Sequence, residues 1–418
     1  MGKHRLPLLT LACVLSILVS GCQNTTMPAS PTQDVIKDNP EQVAATSSIS
    51  GLFAGDHSSF GLTESGELYA WGFNDEGSLG LDTEEAVVES PTKVLIPEKV
   101  IDVAPGTIAV ALTESGTIYT WGVDNFGFEG DGRTYQKTPH KILMPEKIVQ
   151  IFNGHGAVGL AKGESGALYI WGWNIQGLFG DGTTQNSMVP QKVELPSEVV
   201  DVSCYDTHVV ALCEDGKVYA WGSNYYGELG DGAVIENPSP SGELVENNKL
   251  FPQEVVLDGT IVSVAAARGA SYALTNDGKV YAWGANDVGQ LGVGNQELKY
   301  SSSPVEVPLQ GRVKAIEVGA FHAFALMDNE DLYGWGYNSR KDSSLSILGI
   351  GNNELIVYSP TVVPINGKIK EVNTGAGHTF AWTESGEMLA WGSNWSNKIS
   401  KDFPETVNQP TLFSFKIK

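Results

Sequence analysis

The chain has 418 residues, 41% of them hydrophobic, with 48 glycines and a formal net charge of −23. That apolar content excludes a disordered chain, and such an acidic balance excludes a surface built to hold nucleic-acid phosphate. Length by itself allows two or three domains, so the order of elements decides between one and several.

The first element in chain order is a targeting segment. Basic "MGKHR" precedes apolar "LPLLTLACVLSILV" and then "SGC". The apolar run is shorter than the roughly 20 residues of a membrane span, so residues 1–21 read as a signal peptide. "LVSGC" resembles the bacterial lipobox, which makes Cys22 the acylated first residue of an exported protein anchored to a lipid bilayer. Residues 22–47 hold few large apolar side chains and read as a flexible tether spanning about 30 Å r.m.s.. Loss of residues 1–21 removes Lys3 and Arg5 and no acid, so the mature chain is more acidic still. Nucleic acid is excluded as a partner.

From residue 48 onward one phrase recurs. "TESGELYAWGFNDEG" at residues 63–77 returns as "TESGTIYTWGVDNFG", and Trp-Gly pairs begin at Trp71, Trp121, Trp171, Trp221, Trp283, Trp335 and Trp391. Seven units at this spacing belong to a repeat architecture rather than to separate domains. Each unit holds four short runs rich in Val, Ile, Tyr and Trp, and the link between the second and third is E-S-G, E-D-G or N-D-G, tight-hairpin chemistry. In "LYAW" both alternating sets are apolar, so both sheet faces are expected to be buried. The pattern predicts an all-β, seven-bladed propeller of four-stranded antiparallel blades over residues 48–418. The ring is closed by its N- and C-terminal segments: "SISGLFAGD" begins the first blade and "QPTLFSFKIK" ends the last. "PEQVAATS" after Pro40 offers a competing closing strand, and the C-terminal segment is favoured over it.

A proline is expected to open each fourth strand: Pro91, Pro139, Pro190, Pro252, Pro304, Pro360 and Pro410. Counting between these prolines and the tryptophans places almost all length variation between the third and fourth strands, so one rim of the ring varies while the other is fixed. The phrase "ALTESG-x-Y-x-WG-x-N-x-x-G-x-LG-x-G", clearest in "HVVALCEDGKVYAWGSNYYGELGDG", resembles the regulator-of-chromosome-condensation repeat family. The resemblance covers roughly residues 49–418 and implies the same propeller. Unit seven lacks the G-x-LG end, and its loop is expected to be the most irregular.

Candidate functional residues lie on the variable rim. Phe73, Phe126, Phe128, Trp173, Tyr225, Tyr226, Tyr337 and Trp395 follow the Trp-Gly pairs, where a blade has no need of a different large aromatic each time. Such residues point to a protein-binding surface, with the long unit-four loop from Ala233 part of it. His57, His155, His208, His322 and His378 recur in one motif place and are read as each tying down its own hairpin loop. Glu64, Glu114, Glu164, Glu214 and Glu384 read as solvated turn residues, and Asp131, Asp181 and Asp231 as turn chemistry rather than calcium ligands. Cys204 and Cys213 fall about 17 Å apart if they lie at opposite ends of a hairpin, too far for a disulfide. No metal-pair, nucleophile-elbow or phosphate-loop motif occurs, so the reading is a monomeric non-enzyme with no cofactor.

The partner is then a protein, or a wall glycan, met in the cell envelope. The family resemblance implies two further activities: inhibition of an exported enzyme such as a β-lactamase by an aromatic loop face, and guanine-nucleotide exchange on a small GTPase. The second conflicts with an exported location.

Overall fold

Every repeat becomes four consecutive antiparallel strands, and the seven sheets share no strand. A computed structural model describes residues 48–74, 77–123, 135–152, 154–233, 247–339, 345–352 and 354–417. The expected signal peptide, Cys22, the tether and the competing strand at Pro40 lie outside these residues. The innermost strands are Ile49–Ala54, Val100–Ala104, Ile148–Phe152, Val199–Tyr205, Ile261–Ala267, Val313–Val318 and Ile369–Thr374. The fourth blade shows the unit: Val199–Tyr205, His208–Cys213, Val218–Gly222 and Lys249–Val255, in that order from the axis outward.

The recurring phrase does three jobs. Its Thr and Gly close the second hairpin, as where Gly66 (φ 82°) donates its N–H to the Thr63 carbonyl at 2.9 Å. Its Trp is the blade-to-blade wedge, and all seven are at most 1% exposed. In four seams the indole N–H donates to the carbonyl of the residue before the motif Leu, or before the Phe179 that replaces it, of the preceding blade: Trp121 to Ser78 at 3.0 Å, Trp221 to Leu178 at 2.7 Å, Trp283 to Glu228 at 2.9 Å and Trp335 to Gln290 at 2.8 Å. Meanwhile the motif Asn accepts the amide of the residue five positions on, as Asn174 does from Phe179 at 2.8 Å. The phrase therefore repeats because each copy wedges its Trp into a seam between blades.

The glycine after each Trp has φ between 96° and 108°. A side chain there would collide with the loop joining strands one and two, since a Cβ on Gly222 would stand 2.6 Å from the Thr207 carbonyl. This is backbone that only glycine takes without strain.

Two sequence expectations are corrected. The prolines do not open the fourth strands; Pro91 lies inside Val87–Val94 and Pro252 inside Lys249–Val255. In each blade the ladder skips the Trp on the third strand and three residues on the fourth, the last of them Pro. A residue without N–H suits the point where an outer edge strand leaves its ladder. Nor do the histidines each tie their own loop. His208 reaches Ser271 of the next blade at 2.8 Å, His322 reaches Thr374 at 2.9 Å and His378 reaches Ser59 at 2.8 Å. They are structural, but they link blades.

A second bulge recurs at the opposite rim. In all seven inner strands the ladder skips the second residue: Ser50, Ile101, Val149, Val200, Val262, Lys314 and Lys370.

Closure between blades seven and one uses the same parts with one change of register. Trp71 donates to the Ile399 carbonyl at 3.1 Å, and Asn373 accepts from the Ala54 amide at 2.6 Å. Past the last strand, Thr406–Phe413, the Phe415 ring packs 5.6 Å from Trp71. The unit-seven loop is irregular as expected: a 3-10 turn at Trp395–Asn397 with φ of 60° at Ser396 and 57° at Asn397. Asn394 still accepts from Ile399 at 2.8 Å, so Ile399 stands in for the motif Leu. Cys204 and Cys213 are free and buried; Cys204 pairs with Val209 and Cys213 with Val199, which separates them along the hairpin.

Candidate functional site on the variable rim

The aromatic residues are positioned by backbone bonds that the Trp-Gly turn creates. The amide after each motif glycine donates to the loop between strands one and two: Phe73 to His57 at 3.0 Å, Trp173 to Ala157 at 2.8 Å and Tyr337 to Phe321 at 2.9 Å. Loops of two kinds are thereby stitched together on one rim. Phe73, Trp173, Tyr225, Tyr226, Tyr337 and Trp395 are all half-buried there, neither core nor fully exposed. Phe126, Phe128, Asp131 and most of the long unit-four loop lie outside the described residues.

Contacts sort the described aromatics into groups. Phe73 and Trp395 meet at 4.9 Å across the closing seam, with the exposed His57 ring 5.5 Å from Trp395. Tyr225 and Tyr226 pair at 5.1 Å. Tyr337 lies edge-on to Phe321 at 6.5 Å, while Trp173 packs against the core shared by blades three and four.

Glu228, 1% exposed, holds the tyrosine pair from beneath. Its carboxylate accepts from the Tyr226 amide at 2.6 Å and from Ser223 at 2.9 Å. Burial pushes its pKa up to about 7, against the pull of those donors. The Glu228 carbonyl also accepts from Ser271 at 2.7 Å, so one residue fixes both the rim loop and the seam.

At the centre of this rim the structure assembles a charged cluster that the sequence reading missed. The Tyr205 hydroxyl donates to Asp56 at 3.3 Å, and Asp56 belongs to blade one while Tyr205 belongs to blade four. The contact therefore runs across the axis. His155 Nδ1 lies 3.9 Å from the same Asp56 carboxylate, and its ring stacks on Tyr205 at 5.2 Å. The Asp206 amide donates to the His155 carbonyl at 3.1 Å, with φ of 46° at Asp206. Arg268 sits 3.6 Å from the Asp206 carboxylate and 5.7 Å from the centre of the Phe321 ring. From blade seven, the buried Lys398 donates to the Asp56 carbonyl at 3.1 Å.

Electrostatics in the cluster follow from burial. Burial and the Asp56 charge raise Asp206 to about 6, while Arg268 opposes the rise. Burial lowers His155 despite Asp56, and it lowers Lys398 to about 8. The arrangement is a hydrogen-bonded plug with both charge signs, on the same rim as the half-buried aromatics. It offers contact surface and fixed charges.

Glu64, Glu114, Glu164, Glu214 and Glu384 are exposed on the other rim. Asp181 accepts from the Thr183 amide at 2.8 Å and Asp231 from Ala233 at 3.0 Å, both turn bonds. Among the described residues no group of three His, Cys, Asp or Glu is placed to hold a metal ion. One signal for the missed cluster was present in the sequence. Aligned repeats place Asp56, Asp206 and Arg268 in the loop between strands one and two, where the other four units carry no Asp, Glu, Lys or Arg.

Comparison with known proteins agrees with this architecture. The RCC1-like domain profile matches residues 103–418, and the regulator of chromosome condensation (RCC1) repeat matches residues 65–108 and 49–78. Protein pim1 of Schizosaccharomyces pombe is 32% identical over 186 residues, covering 40% of this chain and 33% of pim1. Matched stretches amount to 8–39% of the length of the curated relatives. Human WBSCR16 superposes with a TM-score of 0.69 at 22% identity, over 80% of this chain and 86% of that one. Prp20p of Saccharomyces cerevisiae superposes with a TM-score of 0.68 at 24% identity, over 87% of each chain. The chain belongs to the RCC1-like domain family.

Proposed function

We propose that the protein is an exported module, anchored to a membrane through a lipid on Cys22, that binds a protein through its variable rim without chemistry of its own. One observation carries this reading. The rim whose loops differ between blades is also the rim that carries half-buried Phe73, Trp173, Tyr225, Tyr226, Tyr337 and Trp395 together with a fixed charged cluster. Aromatic and arginine side chains supply most of the energy of protein interfaces, and a rigid scaffold lowers the entropy lost on binding. Propellers of this family bind proteins: Prp20p is described with its binding to Gsp1p and histones, and in complex with Kap60. The export signal read at residues 1–21, with Cys22 after it, is the reason to seek the partner in the envelope rather than among those proteins.

The test is capture of envelope and secreted proteins by the full chain, compared with a variant in which Trp173, Tyr225, Tyr226 and Trp395 are all changed to Ala. A protein held by the first and released by the second, with the circular dichroism of both alike, supports the rim. Equal capture by both would sink it.

A further inference from the structure

The opposite rim carries a feature that binding at the variable rim leaves unexplained. A bulge at the second residue of every inner strand sets seven residues around the axis at that rim. In four adjacent blades the bulged residue is β-branched and exposed: Ile101 by 47%, Val149 by 49%, Val200 by 41% and Val262 by 46%. The next two blades place exposed Lys314 and Lys370 in the same position, and the first blade places Ser50. The fold therefore accepts a charged or polar residue at this bulge. Four contiguous apolar ones are not required by the strand.

More apolar surface lies on the same rim. Leu95, Leu143 and Val256 follow fourth strands, where the chain turns back toward the next inner strand, and are 77%, 84% and 82% exposed. Exposed apolar residues gathered on one rim of a folded protein form a candidate contact surface.

The occupant is indicated by where the chain enters. The described residues begin at Ser48, two residues before the bulged Ser50, so the described chain enters the ring at this collar. A lipid on Cys22 would hold the bilayer within about 30 Å of this rim. Apolar side chains flanked by lysines fit the interface of a bilayer, where the former enter the acyl boundary and the latter meet phosphate. Exposed Glu64, Glu114, Glu164, Glu214 and Glu384 stand on the same rim, and their amides donate to the carbonyls of Ser48, Lys99, Lys147, Glu198 and Lys368, each two residues before a bulged position. Their charge disfavours strongly anionic lipid and leaves a zwitterionic surface as the match.

We infer that the collar of Ile101, Val149, Val200 and Val262, with Lys314 and Lys370, rests on the surface of a lipid bilayer and turns the aromatic rim outward. This rests on the lipid-anchored reading of Cys22.

The experiment uses the full chain, processed so that Cys22 carries its lipid, in phosphatidylcholine vesicles containing a spin-labelled lipid as quencher. An environment-sensitive fluorophore is placed on Val149→Cys or Val200→Cys and, as a control, on Ile175→Cys of the variable rim. Buried Cys204 and Cys213 do not compete for the label. The collar labels are expected to shift to the blue and to be quenched, and the Ile175 label to stay in water. Changing the three remaining collar residues to Lys, a side chain that blades six and seven already hold there, should abolish the quenching with the fold intact. Collar and control labels equally wet, on a chain that still needs Cys22 to stay on the vesicle, would overturn the collar while leaving the anchor standing. A chain that leaves the vesicles whether or not Cys22 is changed to Ala would remove the anchor and the collar together. A blue shift without lipid quenching, with doubled mass in solution, would give the collar to a second copy of the chain.

Discussion

The two rims of the ring are built from the same seven repeats and use them in opposite ways. On the variable rim the loops differ in length, carry different aromatics, and are stitched together by contacts found once each, such as Asp56 with Tyr205. On the constant rim the same bulge returns seven times, and only the residue occupying it changes. Repetition constrains backbone and leaves side chains free. A rim becomes specific where either loop length or the bulged side chain departs from the repeat.

The largest test of that contrast sets a wedge against a rim aromatic. Trp221→Ala opens a cavity between two blades and removes the bond to Leu178, and is expected to cost about 3–5 kcal/mol. Tyr225→Ala, half-buried on the rim, should cost under about 1 kcal/mol. Urea unfolding measures both, and comparable losses would mean that the rim aromatics are scaffold.

Next comes the carboxylate beneath the tyrosine pair. Glu228 keeps its proton in the folded state up to about pH 7, while the unfolded chain releases it near the ordinary value of 4.5. The folded state therefore binds the extra proton between those values, and stability falls as pH rises from about 4.5 through 7. His208 and His322, lowered to about 3 by burial, act in the opposite sense and lose stability as pH falls below 6.5. Comparison with Glu228→Gln isolates the first effect. The variant should match the wild type near pH 4.5 and exceed it by about 2–3 kcal/mol at pH 8, read from urea midpoints. A constant difference across that range would show that Glu228 is charged throughout.

The smallest effect is expected on the constant rim. Val149→Lys should change stability by no more than about 0.5 kcal/mol, because Lys314 and Lys370 already occupy that place. A larger loss in the same urea assay would make the collar part of the scaffold.

How much was legible follows from the range of each interaction. Hairpin turns such as Thr63 to Gly66 lie within four residues, and the burial of both faces of "LYAW" is written in its alternation, so the blades could be read directly. The histidines were read as structural because they recur, but their partners were misplaced. His322 and Thr374 are separated by 52 residues, and nothing in either local segment points to the other. Fourth-strand prolines were misjudged for a related reason: the skipped Trp in the ladder becomes visible only when third and fourth strands are paired.

The sequence by itself determined the unit, its number and the closed ring, because hairpin chemistry and apolar alternation act between near neighbours and each of seven copies repeats the message. Tertiary structure alone decided what the ring places at its axis. Asp56 and Tyr205, 149 residues apart, meet only after blades one to four have curved around together. The bulged residues likewise become a collar only when seven inner strands share one axis. Closure converts positions equivalent in sequence into neighbours in space, and that is a property of the ring rather than of any repeat.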